Sequence, residues 1–302
     1  MPEGRVIQGV GGFYEIMDFE SGQTVTALAR GKFKRDDRII VGDMVNYEIT
    51  TEGQGVIEEL YPRKVKLVRP MVSNVDRIAI VFALQNPDYN RLLVDRFLVL
   101  AETTGLKKLL VFNKQDLVGR ASERAAVEPY ESLGYSVVVT STKTRKGKRL
   151  FLNEIQDGVT VLAGPSGVGK SALMNLVCPE FARETGEVSK KIGRGRHTTR
   201  QAKLLPIPNK PGFIVDTPGF TQLDFDFIAP DQVADFFPDF LPWIKECRFQ
   251  GCLHKKEPDC SIKEAVQTGE IFSWRYEHYL TFLEEVERFN STTQKYRGRR
   301  RR

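Results

Sequence analysis

The spacing of apolar positions changes twice along the chain. Over residues 1–67 they recur in short runs, RVIQGV, FYEIMD, QTVTALA, MVNYEIT and GVIEEL, separated by Gly-rich or charged pieces such as ESG, RGKFKRDD and TEGQG. Five short strands with turn signals between them predict a small barrel, and the number suits an OB-type barrel or another small barrel of SH3-like kind. Over 75–225 β-branched apolar runs alternate with helical segments. DRIAIVFAL, KKLLVFNK, YSVVVTS, GVTVLAG and GFIVDTPG read as strands. YNRLLVDRFLVLAETTG, with Leu93, Phe97 and Leu100 on one face, reads as a helix; so do KSALMNLV and ERAAVEPYESLG, the latter interrupted at Pro129. This alternation predicts a mostly parallel sheet with helices on both faces and ligands at the carboxyl ends of the strands. Residues 226–302 hold Pro-rich loops and a helix near 273–290. Its stripe of Tyr276, Tyr279, Leu280, Leu283 and Val286 faces a core.

Composition adds exclusions. With 41% hydrophobic and 10% aromatic residues the 302-residue chain can build real cores, so general disorder is excluded. No apolar run approaches the ~20 residues of a membrane helix, and the start MPEGRVIQGV lacks the pattern of a secretory signal, so a cytoplasmic protein without a membrane partner is expected. Four cysteines suggest no disulfide framework. The net charge of +6 resides in the end segment STTQKYRGRRRR (291–302), which has six bases and no acid; residues 1–290 balance at 39 against 39. That composition predicts a disordered arm, either a solubilising end or, on the sharper reading, one suited to phosphates. Two interior clusters point the same way: Lys143, Arg145, Lys146, Lys148 and Arg149 in one loop, and Lys190, Lys191, Arg194, Arg196, Arg200 and Lys203 in another.

The chemistry begins at Gly164-Pro165-Ser166-Gly167-Val168-Gly169-Lys170-Ser171, which fits G-x-x-x-x-G-K-[ST], follows a strand and opens a helix through Ala172. Such a loop turns its backbone N–H groups around phosphates. Lys170 is expected on the β- and γ-phosphate oxygens and Ser171 on Mg²⁺. Asp216-Thr217-Pro218-Gly219 ends another strand, with Asp216 placed to hold Mg²⁺ through water and the Gly219 N–H to sense the γ-phosphate. Asn113-Lys114-Gln115-Asp116 chooses the base. A carboxylate at Asp116 accepts the two N–H donors of guanine and rejects adenine, and Ser141-Thr142-Lys143 forms the partner loop, with Thr142 where Ala is commoner. Together these motifs imply GTP and GDP as ligands. Their order is inverted, because in the usual G domain the P-loop precedes NKxD. A circular permutation builds the same site.

Residues 193–200, GRGRHTTR, lie between P-loop and DTPG, where switch I belongs. Thr199 is the expected Mg²⁺ and γ-phosphate threonine, with Thr198 as the alternative. Ras-like enzymes orient water with a Gln after the DxxG turn; Phe220 stands there and cannot. His197 is the candidate to orient the water, and an exposed or RNA-contacting histidine is the competing reading. Gly167 replaces the Asn of potassium-dependent GTPases, so no K⁺ activation through that side chain is expected. Cys247-x₄-Cys252-x-His254-x₅-Cys260 supplies three thiolates and an imidazole, a closed structural zinc pattern. Cys178 reads as core, and His278 as helix surface.

The small barrel, RKVKLVRPMVSNVDRI, NPDYNRLLVDRFLVLAE, the permuted motifs, GRGRHTTR and the cysteine cluster together resemble the circularly permuted, small-subunit-dependent ribosome GTPases of the RsgA family. The resemblance spans nearly the whole chain. It implies a multidomain α/β architecture: an OB-fold RNA-binding barrel (1–68), a permuted P-loop GTPase domain (69–224), a mostly helical zinc-finger domain (225–290) and a basic tail (291–302). It also implies late maturation of the small (30S) ribosomal subunit, with GTP hydrolysis stimulated by that subunit. The expected assignments are His197, Thr199 and Lys170 in catalysis, one structural Zn²⁺, Mg²⁺ with GTP, 16S-type rRNA as partner, and a monomer. Two other classes stay open: a GTP-gated RNA-binding module with little hydrolysis, and a different translation-associated GTPase.

Overall fold

The computed structural model describes residues 1–31, 33, 38–51, 53–68, 70–179, 202–216, 225 and 227–299, except the side chains of 216 and 292–299. The chain forms two compact units, one of residues 1–89, 106–128 and 136–221, the other of residues 90–105, 129–135 and 222–302.

The first unit opens with a closed barrel of β1 (Glu3–Val10), β2 (Phe13–Asp18), β3 (Thr24–Ala29), β4 (Met44–Ile49) and β5 (Gly55–Leu60), in the order β1-β2-β3-β5-β4. β3 and β5 run parallel and the other pairs antiparallel. The expected five-stranded OB-type barrel is therefore present. Val6, Ile16, Ala27, Val45, Tyr47 and Ile57 fill it. A closed barrel leaves no open sheet edge. One polar pair enters this core: the buried Tyr47 hydroxyl donates to Asp18 Oδ2 at 2.7 Å. Burial raises the Tyr47 pKa, so it remains a donor. A short hairpin, β6 (Lys66–Leu67) and β7 (Val72–Ser73), follows. It is tied to the barrel by the fully buried Asp43, whose carboxylate accepts from Ser73 Oγ (2.5 Å), Arg63 (2.7 and 2.8 Å) and Ile40 N (2.8 Å).

The main sheet comprises β8 (Arg77–Ala83), β9 (Lys107–Asn113), β10 (Ser136–Val139), β11 (Val159–Ala163), β12 (Lys203–Pro206) and β13 (Phe213–Asp216), in the order β10-β9-β8-β11-β13-β12. Five strands are parallel, and the edge strand β12 is antiparallel to β13. Every residue of β8 and β11 is buried, as strands inside a parallel sheet require. α3 (Lys148–Ile155) and α4 (Lys170–Val177) close this core with Phe151, Ile155, Leu173, Met174 and Val177. Cys178 joins it, as its sequence context predicts. α3 and β12 lie where the sequence reading has only charged loops. Their apolar residues are few and flanked by bases, too short a signal for periodicity to register. α2 (Arg120–Ser132) runs on through Pro129 rather than stopping there.

The second unit contains α1 (Arg91–Glu102), a single turn α5 (Leu241–Ile244), α6 (Ser261–Thr268) and α7 (Ser273–Arg299). Tyr279, Leu283 and Val286 of the expected stripe are buried, together with Phe282. Besides its buried apolar face, α1 is joined to α7 by charged side chains. Fully buried Arg275 on α7 meets Asp95 of α1 at 2.8 Å and Asp239 at 2.7 Å, and Arg96 holds Glu285 through two bonds of 2.7 and 2.5 Å. His278 is not the surface residue its sequence position suggests, since its Nδ1 lies 2.6 Å from Asp95 Oδ2. The backbone helix continues to Arg299, past the 290 boundary and through most of the segment expected to be disordered. Extending a formed helix avoids the nucleation penalty. Among the described residues no helix is long and apolar enough to cross a membrane.

The barrel has a built-in acid sensitivity. The Ser21 N–H, Tyr47 and Ser21 Oγ all donate to Asp18, and these bonds hold its pKa below the usual carboxylate value. The folded state thus binds fewer protons at this site than the unfolded chain. Its stabilisation is present above about pH 4 and is lost as pH falls through the folded pKa. Asp18→Asn should lower the melting temperature at pH 7 and flatten its decline between about pH 5 and pH 3. A pH series of thermal melts reads both; an unchanged slope would place the acid sensitivity elsewhere.

Candidate nucleotide and metal sites

Three loops leave the carboxyl ends of β9, β10 and β11 and converge through buried polar contacts. Asn113, the last residue of β9, is fully buried. Its Nδ2 donates to Val168 O of the P-loop at 2.9 Å, and its Oδ1 accepts from Thr140 Oγ1 at 3.1 Å. One amide thus braces all three loops. Val168 sits in the apolar core and anchors the loop from below. Lys114 adopts a left-handed backbone, and its Nζ donates to Gly167 O at 2.7 Å and to Asn86 O. It bridges the P-loop to the segment after β8, the strand between β9 and β11.

Asp116 lies in the turn after Lys114, and its Oδ1 accepts from Ser141 Oγ at 2.5 Å. Ser141 is fully buried. Its N–H donates to Lys146 O at 3.0 Å and its Oγ accepts from Thr144 N at 3.1 Å. Gln115 N donates to Thr140 O at 3.1 Å, which closes the turn. A carboxylate oriented in this way can accept paired N–H donors from a planar base. Thr142 is half-buried and Lys143 exposed beside it.

The P-loop has the geometry of a phosphate cradle. Gly164, Gly167 and Gly169 have φ of +135°, +80° and +102°. At Gly169 a Cβ would lie 2.3 Å from Asn113 Nδ2, so both the conformation and the brace require glycine. Lys170 Nζ donates to the carbonyls of Gly164 and Pro165, each at 2.7 Å, and burial lowers its pKa. A phosphate there would offset that desolvation. Ser166, Ser171 and Ala172 are exposed around the loop, and Pro165 is half-buried. Asp216 ends β13, the strand beside β11, with its backbone in register with Lys203. His197, Thr198, Thr199, Thr217, Pro218, Gly219 and Phe220 lie outside the described residues.

Sequence reasoning identifies Asn113 and Lys114 as nucleotide residues, and the structure adds that their side chains brace the loops. It misses Thr140 and Asn86 altogether. Thr140 carries no signal beyond its place before Ser141, and Asn86 contributes only a backbone carbonyl.

In the second unit the donor atoms of Cys247, Cys252, His254 and Cys260 all lie within 4.8 Å of one another. His254 Nδ1 is 3.5 Å from Cys247 Sγ and 3.4 Å from Cys260 Sγ, and those two sulfurs are 3.9 Å apart. For a tetrahedral ion of zinc's size the edges are about 3.8 Å between sulfurs and about 3.5 Å between sulfur and nitrogen, so the cluster could hold such an ion. The buried His254 is fixed by its backbone: Tyr276 OH donates to His254 O at 2.6 Å, and Tyr279 OH to Leu253 O at 2.7 Å. Burial pushes Cys252 up to about 12, with the neighbouring thiols adding to the rise. Burial also raises Cys260 and lowers His254. At Cys247 the effect of burial is outweighed by bonds from Ser261 and Ile262, and its pKa falls. A bound cation would favour the thiolates over the thiols.

A parallel sheet with a P-loop at one strand end, and an NKxD carboxylate held two strands away, has the layout of a P-loop GTPase. Its base-reading motif precedes its phosphate motif in the chain. Sequence models for the RsgA GTPase and the RsgA N-terminal domain match residues 60–226 and 3–57. The chain belongs to the RsgA family and hydrolyses GTP. It is 44% identical to a small ribosomal subunit biogenesis GTPase RsgA of Shouchella clausii over 95% of this chain and 98% of that one. For the protein of that name from Caldanaerobacter subterraneus the figures are 42%, 94% and 95%. Among solved structures it resembles YloQ, a circularly permuted GTPase, with a TM-score of 0.81, 35% identity and 95% of each chain covered. YjeQ from Thermotoga maritima gives a TM-score of 0.82 and 35% identity, covering 94% of this chain and 98% of that one.

Gly169→Ala tests the brace. The strained φ and the clash with Asn113 should weaken GTP and GDP binding about 10- to 100-fold, from a strain of roughly 1–3 kcal/mol. Nucleotide titration measures this, with circular dichroism as the folding check. Unchanged affinity would mean that the loop does not depend on the brace.

Proposed function

We propose that this chain is a GTPase of small ribosomal subunit maturation. It binds the 30S particle through 16S-type rRNA, is stimulated by it, and leaves it on hydrolysis. The observation that carries the reading is the Asp116–Ser141 pair on the same sheet edge as a braced P-loop, in a chain similar along almost its whole length to proteins named for small-subunit biogenesis. Asp116 reads guanine. The backbone of 164–172 and Lys170 hold the phosphates, and the Gly219 N–H meets the γ-phosphate. Ser171, Thr199 and Asp216 hold Mg²⁺, which neutralises phosphate charge when bound. His197 orients the attacking water in the subunit-bound state, a role that Phe220 cannot fill. The Cys₃His cluster holds one structural zinc ion with no position for catalysis. The protein works as a cytoplasmic monomer.

GTP turnover with and without purified 30S particles, at fixed salt, tests this reading in wild type and His197→Ala. Strong stimulation in the wild type is expected, and a loss on the order of 10²–10⁴-fold in the variant with binding intact, the usual range for a residue that handles the reacting proton. Stimulation that survives the substitution would move water orientation to another group. Absence of stimulation despite GTP binding would favour a GTP-gated RNA-binding module. For the metal, elemental analysis should give one zinc per chain, and chelation should release it with cooperative loss of structure in the second unit. A chain that keeps its melting temperature after zinc removal would refute the structural role.

A further inference from the structure

The sequence singles out a basic run at 143–149, and the structure places it where its charge has no architectural use. Lys143, Arg145, Lys146, Lys148 and Arg149 occupy seven residues without an acid, in a chain whose first 290 residues are charge-balanced. Lys143, Arg145, Lys146 and Arg149 are exposed and Lys148 is half-buried. One ion pair involves the run among the described residues, Lys146 with Glu123 at 3.4 Å; the acid of α3 itself, Glu154, lies near that helix's far end. Lys148 and Arg149 open α3, whose first turn has no acid and whose N-cap is Gly147, with no side-chain cap. Cations at a helix N-terminus oppose the helix dipole. Two of them beside three more amount to a surface that is electrostatically uncomfortable when free and relieved by an anion.

The inner side of the same loop holds the base-reader. Ser141 N donates to Lys146 O and Thr144 N to Ser141 Oγ, while that hydroxyl donates to Asp116. The cations therefore stand on the outer face of a closed loop whose inner face orients the guanine carboxylate. We propose that residues 143–149 dock the phosphodiester backbone of RNA. The proposal rests on the reading above that the partner is an RNA-rich particle. Clustered arginines suit phosphate because the guanidinium fork matches its oxygens.

The test is Arg145→Gln/Lys148→Gln/Arg149→Gln in the full chain, with 30S particles and a generic RNA duplex as probes. At 0.15 M salt, an ionic strength near physiological, the variant should bind particles about tenfold or more weakly. The slope of log K against log salt should fall by about 2 to 3, from roughly 0.7–0.9 per phosphate contact. GTP affinity of the free variant should match wild type. Equal affinity and slope for variant and wild type on both probes would overturn the proposal. So would a photo-crosslinker at position 149 that labels only ribosomal protein. A wild type that ignores 30S particles, yet binds the duplex in a manner lost in the variant, would support the surface and remove the subunit reading instead.

Discussion

The nucleotide site depends on one buried amide. Asn113 ends β9 and bonds to Val168 of the P-loop and to Thr140 after β10, so three loops from three strands share one side chain. In a water-excluded setting each bond is strong, and each unmade partner is costly. The brace also dictates its neighbour. Glycine at 169 follows from the 2.3 Å that a Cβ would leave to Asn113 Nδ2. Lys114 repeats the device on the outer side by joining Gly167 to Asn86. Loops held in this way keep the Asp116 turn and the P-loop in fixed positions at one edge of the sheet. Pre-organisation of that kind lowers the ordering cost of binding.

The same brace explains why a reordered chain can keep a GTPase site. β8, β9 and β10 lie on one side of β11, and β13 and β12 on the other. Exchanging the order of these two halves leaves every strand pairing intact. The Asn113–Val168 bond is indifferent to which partner comes first in the chain. What permutation changes is the covalent neighbourhood of the motifs: the strand that ends in Asp216 is now the last of the sheet.

The second unit combines an aromatic core around Phe237, Phe240, Tyr279 and Phe282 with a buried charge network and a metal-type cluster. Fully buried Arg275 meets Asp95 and Asp239, and Asp95 also receives His278. Removing one member of such a network strands buried charge, so the set is retained or lost together. Near it, Tyr276 and Tyr279 fix the backbone of the Cys252–His254 turn through Leu253 and His254 carbonyls. The left-handed backbone of His254 and Asp259 bends the loop that brings the four donors together.

Local chemistry made much of this molecule legible in advance. The five barrel strands, the buried parallel strands, the P-loop, the base-reading motif and the four metal-type ligands all rest on spacing within a few residues. Short-range sterics and hydrogen bonding dictate such features directly. The sequence could not show α3 and β12, whose apolar positions are too few to form a period, nor the continuation of α2 through Pro129 and of α7 beyond residue 290. Long-range contacts decided the rest. Asn113 became a brace because Val168 and Thr140, 55 and 27 residues away along the chain, arrive within 3.1 Å. His278 is half-buried and turned to Asp95, 183 residues distant, which Arg275 and Tyr130 also meet. The sequence by itself determined which chemistry is present; the tertiary structure decided which groups perform it and which hold the others in place, because burial and pairing exist only once distant segments meet.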